Sequence, residues 1–244
     1  MKLIYEGKTK NVYENVDGTI TLKLKDDATG KDGVFDPGEN TVGLSIDGLG
    51  RESLRLSAYY FELLAARGIP THYISHDLDE VSMTVRPAKI FGRGVEFVCR
   101  AKADGSFVRR YGAYVKKGDD LPLLVEVTLK DDAGADPPIT RDALVALGIM
   151  TVEEYDACVN LTQEITKIIA EDLAKKGLTL YDIKYEFGKM SSADIENGLH
   201  GKNKFVANCD VFVMDEFSAG VMRVYKNGVI VPPMELAKLV LNPA

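Results

Sequence analysis

The segment from Leu180 to Gly188 constrains the fold of this chain more than any other stretch. Its apolar residues alternate with its charged residues, the apolar set being Tyr181, Ile183, Tyr185 and Phe187 and the charged set Asp182, Lys184 and Glu186. Because successive side chains of a β-strand point to opposite faces, the alternation predicts a strand with one apolar and one charged face. A solvated surface and an active-site wall both fit the charged face, and the segment alone does not decide between them.

A second strand candidate, Phe205–Glu216, gives the charged face a possible use. It is largely apolar until it ends in Asp215 and Glu216, and the polar stretch Lys189–Lys204 is predicted to be the loop that joins it to the first strand. If the two strands are neighbours in a sheet, their carboxylates gather at one end of it. Mg²⁺ binds carboxylate oxygens together with phosphate oxygens and water, so the pair of strands predicts a site for Mg²⁺ and a polyphosphate.

The first strands of the chain carry a small basic turn. Residues 2–25 alternate as a β-hairpin with a turn signal at Asp17–Gly18. Gly7 lets the backbone approach a ligand closely, and Lys8 and Lys10 on a shared face supply positive charge. The turn has the character of a glycine-containing loop that covers phosphates, although it is neither a Walker A nor a G-x-G-x-x-G sequence. An exposed basic hairpin is the alternative interpretation.

Composition and charge limit the partners of the chain. Its 244 residues accommodate one large domain or two smaller lobes. A net charge of −7 and a pI near 5.1 disfavour nucleic acid or an anionic membrane as the main partner. The N-terminus lacks the apolar core of a signal peptide, no apolar run approaches a membrane span, and Cys99, Cys158 and Cys209 are too scattered for a CxxC site. We therefore expect a soluble, cytoplasmic protein.

Helix signals place further elements around these strands. The periodicity of Gly50–Gly68 predicts a helix, and Thr151 with Glu154 forms a capping box that opens the longest helix, which ends at Gly177. A short terminal helix is predicted at Pro233–Leu241. Additional β-structure is predicted at Ser82–Pro87, Val95–Arg100, Val125–Leu129 and Tyr225–Val231.

Positive charge is concentrated in one short part of this acidic chain. Arg100, Lys102, Arg109 and Arg110 follow the strand predicted from Val95. Arginine forks match planar anions such as carboxylate and phosphate. The cluster is therefore either a site for an anionic ligand or a set of ordinary salt bridges.

Two histidines, His72 and His76, follow the first predicted helix. Their stretch has an extended rather than a helical pattern, and no third or fourth ligand lies nearby in the sequence. A zinc site is therefore disfavoured.

The motifs of the chain occur in the order found in one enzyme family. They are Tyr5-Glu6-Gly7-Lys8-Thr9-Lys10, Lys25-Asp26-Asp27, Gly68-Ile69-Pro70-Thr71-His72, Arg100 with Ser106, Lys130-Asp131-Asp132, Asp182-x-Lys184-x-Glu186-Phe187-Gly188 and Asp215-Glu216-Phe217-Ser218. Each motif is short, but the ordered set is specific. Over roughly residues 1–225 the chain resembles the SAICAR synthetases, the phosphoribosylaminoimidazole-succinocarboxamide synthases of purine biosynthesis.

The resemblance implies an α+β fold of two lobes with a kinase-like or ATP-grasp-like ATP cleft between them. Residues 1–87 would form the lobe with the phosphate-covering hairpin, and residues 88–244 the lobe with the metal and acceptor sites. The implied activity is that of an ATP-dependent C–N ligase. ATP would activate the carboxylate of carboxyaminoimidazole ribonucleotide as an acyl phosphate, and the amine of L-aspartate would attack it. The resemblance also implies a homodimer.

The same resemblance implies roles for individual residues. Those that would bind the ATP cofactor are Gly7, Lys8, Lys10, Lys89, Glu186 and Asp215, of which Glu186 and Asp215 would hold Mg²⁺. Those that would bind the ribonucleotide substrate are Arg100, Ser106, Arg223 and Asp32. Those that would act in catalysis are Lys184, Asp182 and Lys130.

Two positions depart from the pattern of the family. After Ser218 the family usually continues Pro-Asp-x-x-Arg, whereas this chain places Gly220 where the acid is expected. Lys102 stands where an arginine is often found, and it cannot form the same planar fork. These departures keep two alternatives open: a related ATP-dependent ligase or kinase with an altered acceptor, and a nucleotide-binding homologue without turnover.

Overall fold

Helices and strands are mixed along the chain in an α+β arrangement of antiparallel sheets. The structure is a computed structural model that describes residues 1–39, 41–131, 134–197 and 210–242. In these ranges the helices are α1 Leu49–Ala66, α2 Gly105–Tyr111, α3 Arg141–Ala146, α4 Val152–Lys175, α5 Ser192–Glu196 and α6 Pro233–Leu241. The strands are β1 Lys2–Glu6, β2 Lys10–Glu14, β3 Ile20–Leu24, β4 Asp27–Lys31, β5 Val34–Phe35, β6 Val42–Ser45, β7 Tyr73–Asp77, β8 Ser82–Val85, β9 Lys89–Ile90, β10 Val95–Lys102, β11 Asp120–Leu129, β12 Thr179–Lys189, β13 Val211–Met214, β14 Met222–Lys226 and β15 Val229–Ile230.

One sheet is formed by strands that lie within residues 2–85. Its order is β1-β2-β3-β8-β7, and the hairpin predicted over residues 2–25 is confirmed as its first three strands. The connection from β2 to β3 turns at Gly18, whose φ of 83° favours glycine. The strands β5, β4 and β6 form a separate small sheet.

The second sheet is built around β12, the strand predicted at Leu180–Gly188. Its order is β11-β10-β12-β14-β15, and β13 and β9 also pair with β12. In the pairing of β12 with β13, Glu186 lies opposite Met214, the residue before Asp215. The predicted adjacency of the two acidic strands is therefore confirmed.

The apolar face of β12 differs from the prediction at one residue. The pairing of β12 with β14 shifts register between Leu180 and Asp182, so Leu180 packs into the hydrophobic core where Tyr181 was expected. Tyr181 instead stacks on Tyr225, with ring centroids 3.8 Å apart. A bulge changes which face a residue occupies, and alternation alone does not reveal it.

The connection between β12 and β13 was predicted to be a polar loop over Lys189–Lys204. Its beginning instead forms α5, which Ser191 caps by accepting a hydrogen bond from the backbone of Asp194. The described residues do not include residues 198–204 of that loop. They also do not include residues 205–209 of the predicted second strand, the last of which is Cys209.

The long helix α4 begins at the predicted capping box. Thr151 Oγ1 accepts from the backbone N–H of Glu154 at 3.2 Å, and Glu154 Oε2 accepts from the backbone N–H of Thr151 at 2.9 Å. The buried stripe of the helix, which includes Leu161, Ile165 and Ile169, packs against β10, β11 and β12. The helix therefore supports the back of the strand whose front carries the charged residues.

Removal of the cap on α4 has a measurable cost. The substitution Thr151→Ala is expected to lower the free energy of unfolding by about 1 kcal/mol, because it leaves a backbone N–H of the first turn without its partner. Urea unfolding measures this loss as a lower midpoint with an unchanged slope. A midpoint equal to that of the wild type would contradict a stabilising cap.

The hydrophobic core joins the two sheets. α1 packs against β3, β7 and β8, and the predicted terminal helix, confirmed as α6, packs against α1. Tyr60, Phe61 and Leu64 of α1 lie in the same buried cluster as Ile183 of β12 and Leu236 of α6. No helix in the described ranges is both long and apolar enough to cross a membrane.

Candidate active site

The charged face of β12 forms part of the wall of three connected cavities. The apolar cavity, of about 500 Å³, is lined by Val12, Ile20, Leu22, Val85, Ala88 and Ile90. The central cavity, of about 130 Å³, is lined by Gly7, Lys8, Lys10, Lys130, Glu186 and Asp215. The arginine cavity, of about 270 Å³, is lined by Arg100, Ser106, Arg109, Arg110, Asp182 and Arg223.

Shared wall residues connect these cavities in sequence along β12. Four charged residues line both the apolar and the central cavity: Lys10, Lys130, Glu186 and Asp215. Lys184 lines both the central and the arginine cavity. Every second residue of β12 points to this face. The apolar, central and arginine cavities therefore follow one another along the strand.

Ion pairs lie along the wall of the central cavity. Lys10 Nζ lies 2.6 Å from Asp215 Oδ1 and 3.2 Å from Glu216 Oε2, while Lys130 Nζ donates to Glu186 Oε1 at 2.6 Å. Burial opposes the charge of Asp215, but the ammonium groups of Lys10 and Lys130 outweigh it and hold the pKa of this carboxyl below its usual range. Burial, together with the charge of Asp215, raises the pKa of Glu186.

Glu186 and Asp215 provide a donor set that suits Mg²⁺. Both carboxylates face the central cavity, and the Glu186 side chain is almost fully buried. Over the described ranges, no cluster of three or more His, Cys, Asp or Glu side chains is arranged to hold a metal on its own. An ion here would take its remaining ligands from phosphate and water, which is the usual coordination of Mg²⁺.

Lys184 lies between the central and arginine cavities and is held by Glu96, a glutamate that was not singled out from the sequence. Lys184 Nζ donates to Glu96 Oε1 at 2.7 Å, and Glu96 also accepts from Thr128 Oγ1 at 3.2 Å. Burial opposes the ammonium charge, but Glu96 and Glu186 outweigh it, so the pKa of Lys184 is raised. Glu96 shares a face of the predicted strand with Arg100, and strand periodicity could have found it.

Salt bridges hold the arginine cavity together. Arg100 donates to Asp182 Oδ2 at 2.9 Å, to Glu126 Oε2 at 2.5 Å and to Ser106 Oγ at 3.0 Å. Glu126 also accepts from Arg110 at 2.6 Å. The salt bridges predicted for the basic cluster are thus present at Arg100 and Arg110, and the same cluster lines a cavity of about 270 Å³.

Arg223 occupies a narrow slot on the opposite side of this cavity. Its Nη1 donates to Asp182 at 3.0 and 3.2 Å, and its Nη2 donates to Asp36 Oδ1 at 2.9 Å. A β-carbon added at Gly38 or Gly105 would lie 2.2 or 2.7 Å from the guanidinium, so a larger residue at either position would displace the end of the Arg223 side chain. Asp36 was not singled out from the sequence, since it lies 187 residues from its partner.

Some residues given roles by the resemblance lie away from the cavities. Lys89 is exposed and pairs with Lys189 where β9 joins β12, whereas its neighbours Ala88 and Ile90 line the apolar cavity. Asp32 lies exposed in the turn between β4 and β5, with a φ of 51°. Neither side chain is among the described residues that line the three cavities.

Lys102 and the two histidines, which were also singled out from the sequence, each contact a different residue. Lys102 donates to Asp120 Oδ1 at 2.5 Å, outside the arginine cavity. His76 Nδ1 lies 2.7 Å from Tyr73 Oη, while His72 Nε2 lies 3.1 Å from the backbone oxygen of Asp215. Burial lowers the pKa of His72 to about 3, despite the opposing effect of Asp215, so this imidazole is neutral.

Known proteins of similar sequence cover nearly the whole chain. The phosphoribosylaminoimidazole-succinocarboxamide synthase of Clostridium tetani is 49% identical over 242 residues, which are 99% of this chain and 100% of that protein. The enzyme of the same name from Thermotoga maritima is 34% identical over 227 residues, which are 93% of this chain and 86% of that protein.

Solved structures agree with this relationship. A SAICAR synthetase (type 2) in complex with ADP has a TM-score of 0.79 at 26% identity, covering 98% of this chain and 96% of that one. A further SAICAR synthetase has a TM-score of 0.75 at 32% identity, covering 92% and 86%. The model of the SAICAR synthetase family matches residues 3–198. The chain is thus a member of the SAICAR synthetase family.

Proposed function

We propose that this protein is an ATP-dependent ligase that joins L-aspartate to the carboxylate of carboxyaminoimidazole ribonucleotide in purine biosynthesis. The observation that carries the proposal is the order of the three cavities along β12. An apolar cavity, a cavity of cations and carboxylates, and an arginine-lined cavity follow one another in the order of Glu186, Lys184 and Asp182. Transfer of a phosphoryl group from a nucleotide to an acceptor needs these three environments in line.

The fold that accompanies this function is proposed to be two-lobed and kinase-like. Residues 1–87 and 88–244 would flank an ATP cleft, and the location of the two main sheets in these two parts of the chain supports the division. The apolar cavity receives residues from both parts, among them Leu22 and Ile90, and would take the adenine ring. By family resemblance we also expect a cytoplasmic homodimer.

The central cavity is proposed to hold the ATP phosphates. Gly7 lines this cavity, and its tight turn favours glycine because a β-carbon there would lie 2.8 Å from the carbonyl oxygen of Lys10. Lys8, Lys10 and Lys130 supply positive charge from several sides of the cavity. Glu186 and Asp215 would hold Mg²⁺, which when bound would neutralise phosphate charge and orient the phosphoryl group.

The arginine cavity is proposed to hold the ribonucleotide, with its phosphate on Arg100, Ser106 and Arg223. Lys184 would then lie beside the reacting carboxylate and stabilise negative charge on the phosphoryl group in transfer. The carboxylate oxygen attacks the γ-phosphorus of ATP and releases ADP, which gives an acyl phosphate. The amine of L-aspartate then attacks the acyl carbon, and inorganic phosphate leaves with the amide bond formed. Exclusion of water protects the acyl phosphate from hydrolysis.

A coupled assay tests the proposal. The protein is incubated with MgATP, carboxyaminoimidazole ribonucleotide and L-aspartate, and ADP and the succinocarboxamide product are both followed. The proposal predicts equal amounts of ADP and product, each dependent on all three substrates. ADP formation without the succinocarboxamide would instead favour a kinase or a ligase with another acceptor. This alternative is relevant because Gly220 stands where the family usually has an acid. No ADP above background would contradict ligase activity altogether.

Asp36 gives a prediction specific to this acceptor site. Its carboxylate accepts a hydrogen bond from Nη2 of Arg223, and the guanidinium of Arg223 is also proposed to bind the substrate phosphate. The substitution Asp36→Asn is expected to lower the KM for the ribonucleotide about 3-fold, because it removes a competing negative charge that is still partly solvated. Steady-state kinetics with varied ribonucleotide measure this. Asp79→Asn, which changes an exposed aspartate near Arg51, is the control, and a raised KM in Asp36→Asn would contradict competition.

A further inference from the structure

The backbone at Asp215 adopts a conformation that a residue with a side chain rarely adopts. Its φ is 76°, in the left-handed region, and it directly follows β13. Such a conformation costs free energy for residues other than glycine, although less for aspartate than for most, and contacts with its surroundings stabilise it. The strained residue is one of the two carboxylates assigned to the metal and phosphate site.

The strained conformation has a structural consequence at Lys10. In an extended strand, successive side chains point to opposite faces, so Asp215 and Glu216 could not both face one lysine. Here both carboxylates contact Lys10 Nζ, at 2.6 and 3.2 Å. The left-handed turn at Asp215 therefore brings two consecutive carboxylates to one point in the central cavity.

His72 is the side chain that contacts this strained backbone. Its Nε2 lies 3.1 Å from the carbonyl oxygen of Asp215, and the residue is only 3% exposed. A carbonyl oxygen can only accept a hydrogen bond, so Nε2 carries the proton and donates it. Without this donor, the part-buried carbonyl group of Asp215 would lose its hydrogen bond to the imidazole.

His72 is itself held on several sides. Its backbone N–H donates to Val213 and its carbonyl accepts from Arg86, at 3.1 and 2.7 Å. The imidazole packs against Phe61, with ring centroids 5.1 Å apart. Val213 in turn donates to Pro70 at 3.1 Å. The donor nitrogen therefore has little freedom to follow a relaxing backbone at Asp215.

We propose that His72 is a positioning residue that holds Asp215 in its left-handed conformation and thereby aims the carboxylate at Lys10 and at the nucleotide phosphates. This deepens the proposed function, since it assumes that the central cavity binds MgATP. His72 also lines the apolar cavity proposed to take the adenine ring, but in this role it acts on Asp215 and not on the reacting atoms. Its effect passes through the backbone of Asp215, and a hydrogen-bond donor at the same place should replace it.

Two substitutions separate this role from a packing role. His72→Gln keeps a donor N–H, whereas His72→Leu fills the same space without one. We expect His72→Leu to raise the KM for MgATP about 10-fold while the KM for the ribonucleotide stays within about 2-fold, and His72→Gln to remain close to the wild type. His76→Leu is the matched control, because His76 lies four residues away with an exposed side chain. Equal kinetics for His72→Leu and His76→Leu, or equal impairment by the glutamine and leucine variants, would overturn the proposal.

A structural measurement tests the same proposal without any assay of activity. In a crystal structure of His72→Leu, we expect Asp215 to relax to a negative φ and to lose its contact with Lys10. Retention of the positive φ and of that contact would overturn the proposal even if the wild-type protein has no ligase activity. Should the leucine variant not fold, His72→Met, whose flexible side chain adapts to the same space, serves for the same comparison.

Discussion

Replacement of Glu186 by glutamine is expected to lower kcat/KM by about 100-fold or more while the fold stays intact. Glutamine has nearly the same shape but no negative charge, so the central cavity keeps its packing and loses one of two carboxylates that would hold Mg²⁺. Lys130, which donates to Glu186 Oε1 at 2.6 Å, would also lose its counter-charge. The affinity for Mg²⁺ should fall with the activity, so that more Mg²⁺ is needed for half-maximal rate.

Initial rates measured across a titration of Mg²⁺ at saturating ATP test this expectation. Glu80→Gln is the matched control, because Glu80 forms an exposed pair with Lys23 on the surface. Circular dichroism and the unfolding midpoint show whether Glu186→Gln is folded. A folded Glu186→Gln variant with the Mg²⁺ dependence of the wild type would contradict the role of Glu186 as a metal ligand.

Replacement of Asp182 by asparagine is expected to have the largest effect on stability. Asp182 is 3% exposed and accepts hydrogen bonds from Arg100 at 2.9 Å and from Arg223 at 3.0 and 3.2 Å. Removal of the shared negative charge leaves two guanidinium groups facing each other with less compensation. Loss of one partner from a buried ion pair costs about 3–5 kcal/mol, and because asparagine keeps an acceptor oxygen we expect about 3 kcal/mol.

Urea unfolding of Asp182→Asn measures this loss, and ribonucleotide kinetics measure the accompanying misplacement of Arg223. Asp120→Asn is the control, since Asp120 is an exposed partner of Lys102. An unfolding free energy within about 0.5 kcal/mol of the wild type would show that the two arginines do not depend on Asp182.

The parts of the fold that depend on local pattern were predictable from the sequence. The alternation along β12 and the capping box at Thr151 both rest on interactions within one element, and both are confirmed. The exception within β12 is Tyr181, where a bulge against β14 changes the face. Bulges depend on the partner strand, so one strand's own sequence does not reveal them.

The partners of the site residues depended on tertiary structure. Glu96 lies opposite Glu186 only because β10 and β12 pair in one particular register, although its own face could be deduced. The guanidinium of Arg223 that Asp36 contacts also lies close to Gly38 and Gly105, and no local pattern connects these four residues. Contacts between distant segments of this kind follow from chain topology, which periodicity does not encode.

His72 shows the same limit in another form. In the sequence, His72 ended the motif Gly68-Ile69-Pro70-Thr71-His72 and was disfavoured as a zinc ligand, and no other role was predicted for its side chain. Its contact is with a backbone carbonyl, and the need for that contact arises from the left-handed φ of Asp215. A non-glycine residue in this region is rare enough that sequence alone would not suggest it.

Transfer of oxygen from the acceptor to phosphate tests the central claim most directly. The ribonucleotide is labelled with ¹⁸O in its carboxylate, turned over with MgATP and L-aspartate, and the released phosphate is analysed by mass spectrometry. Because the carboxylate oxygen bonds to phosphorus and leaves with it, the account predicts one ¹⁸O atom in each phosphate released. Phosphate without the label, accompanied by formation of the amide product, would contradict an acyl-phosphate ligase.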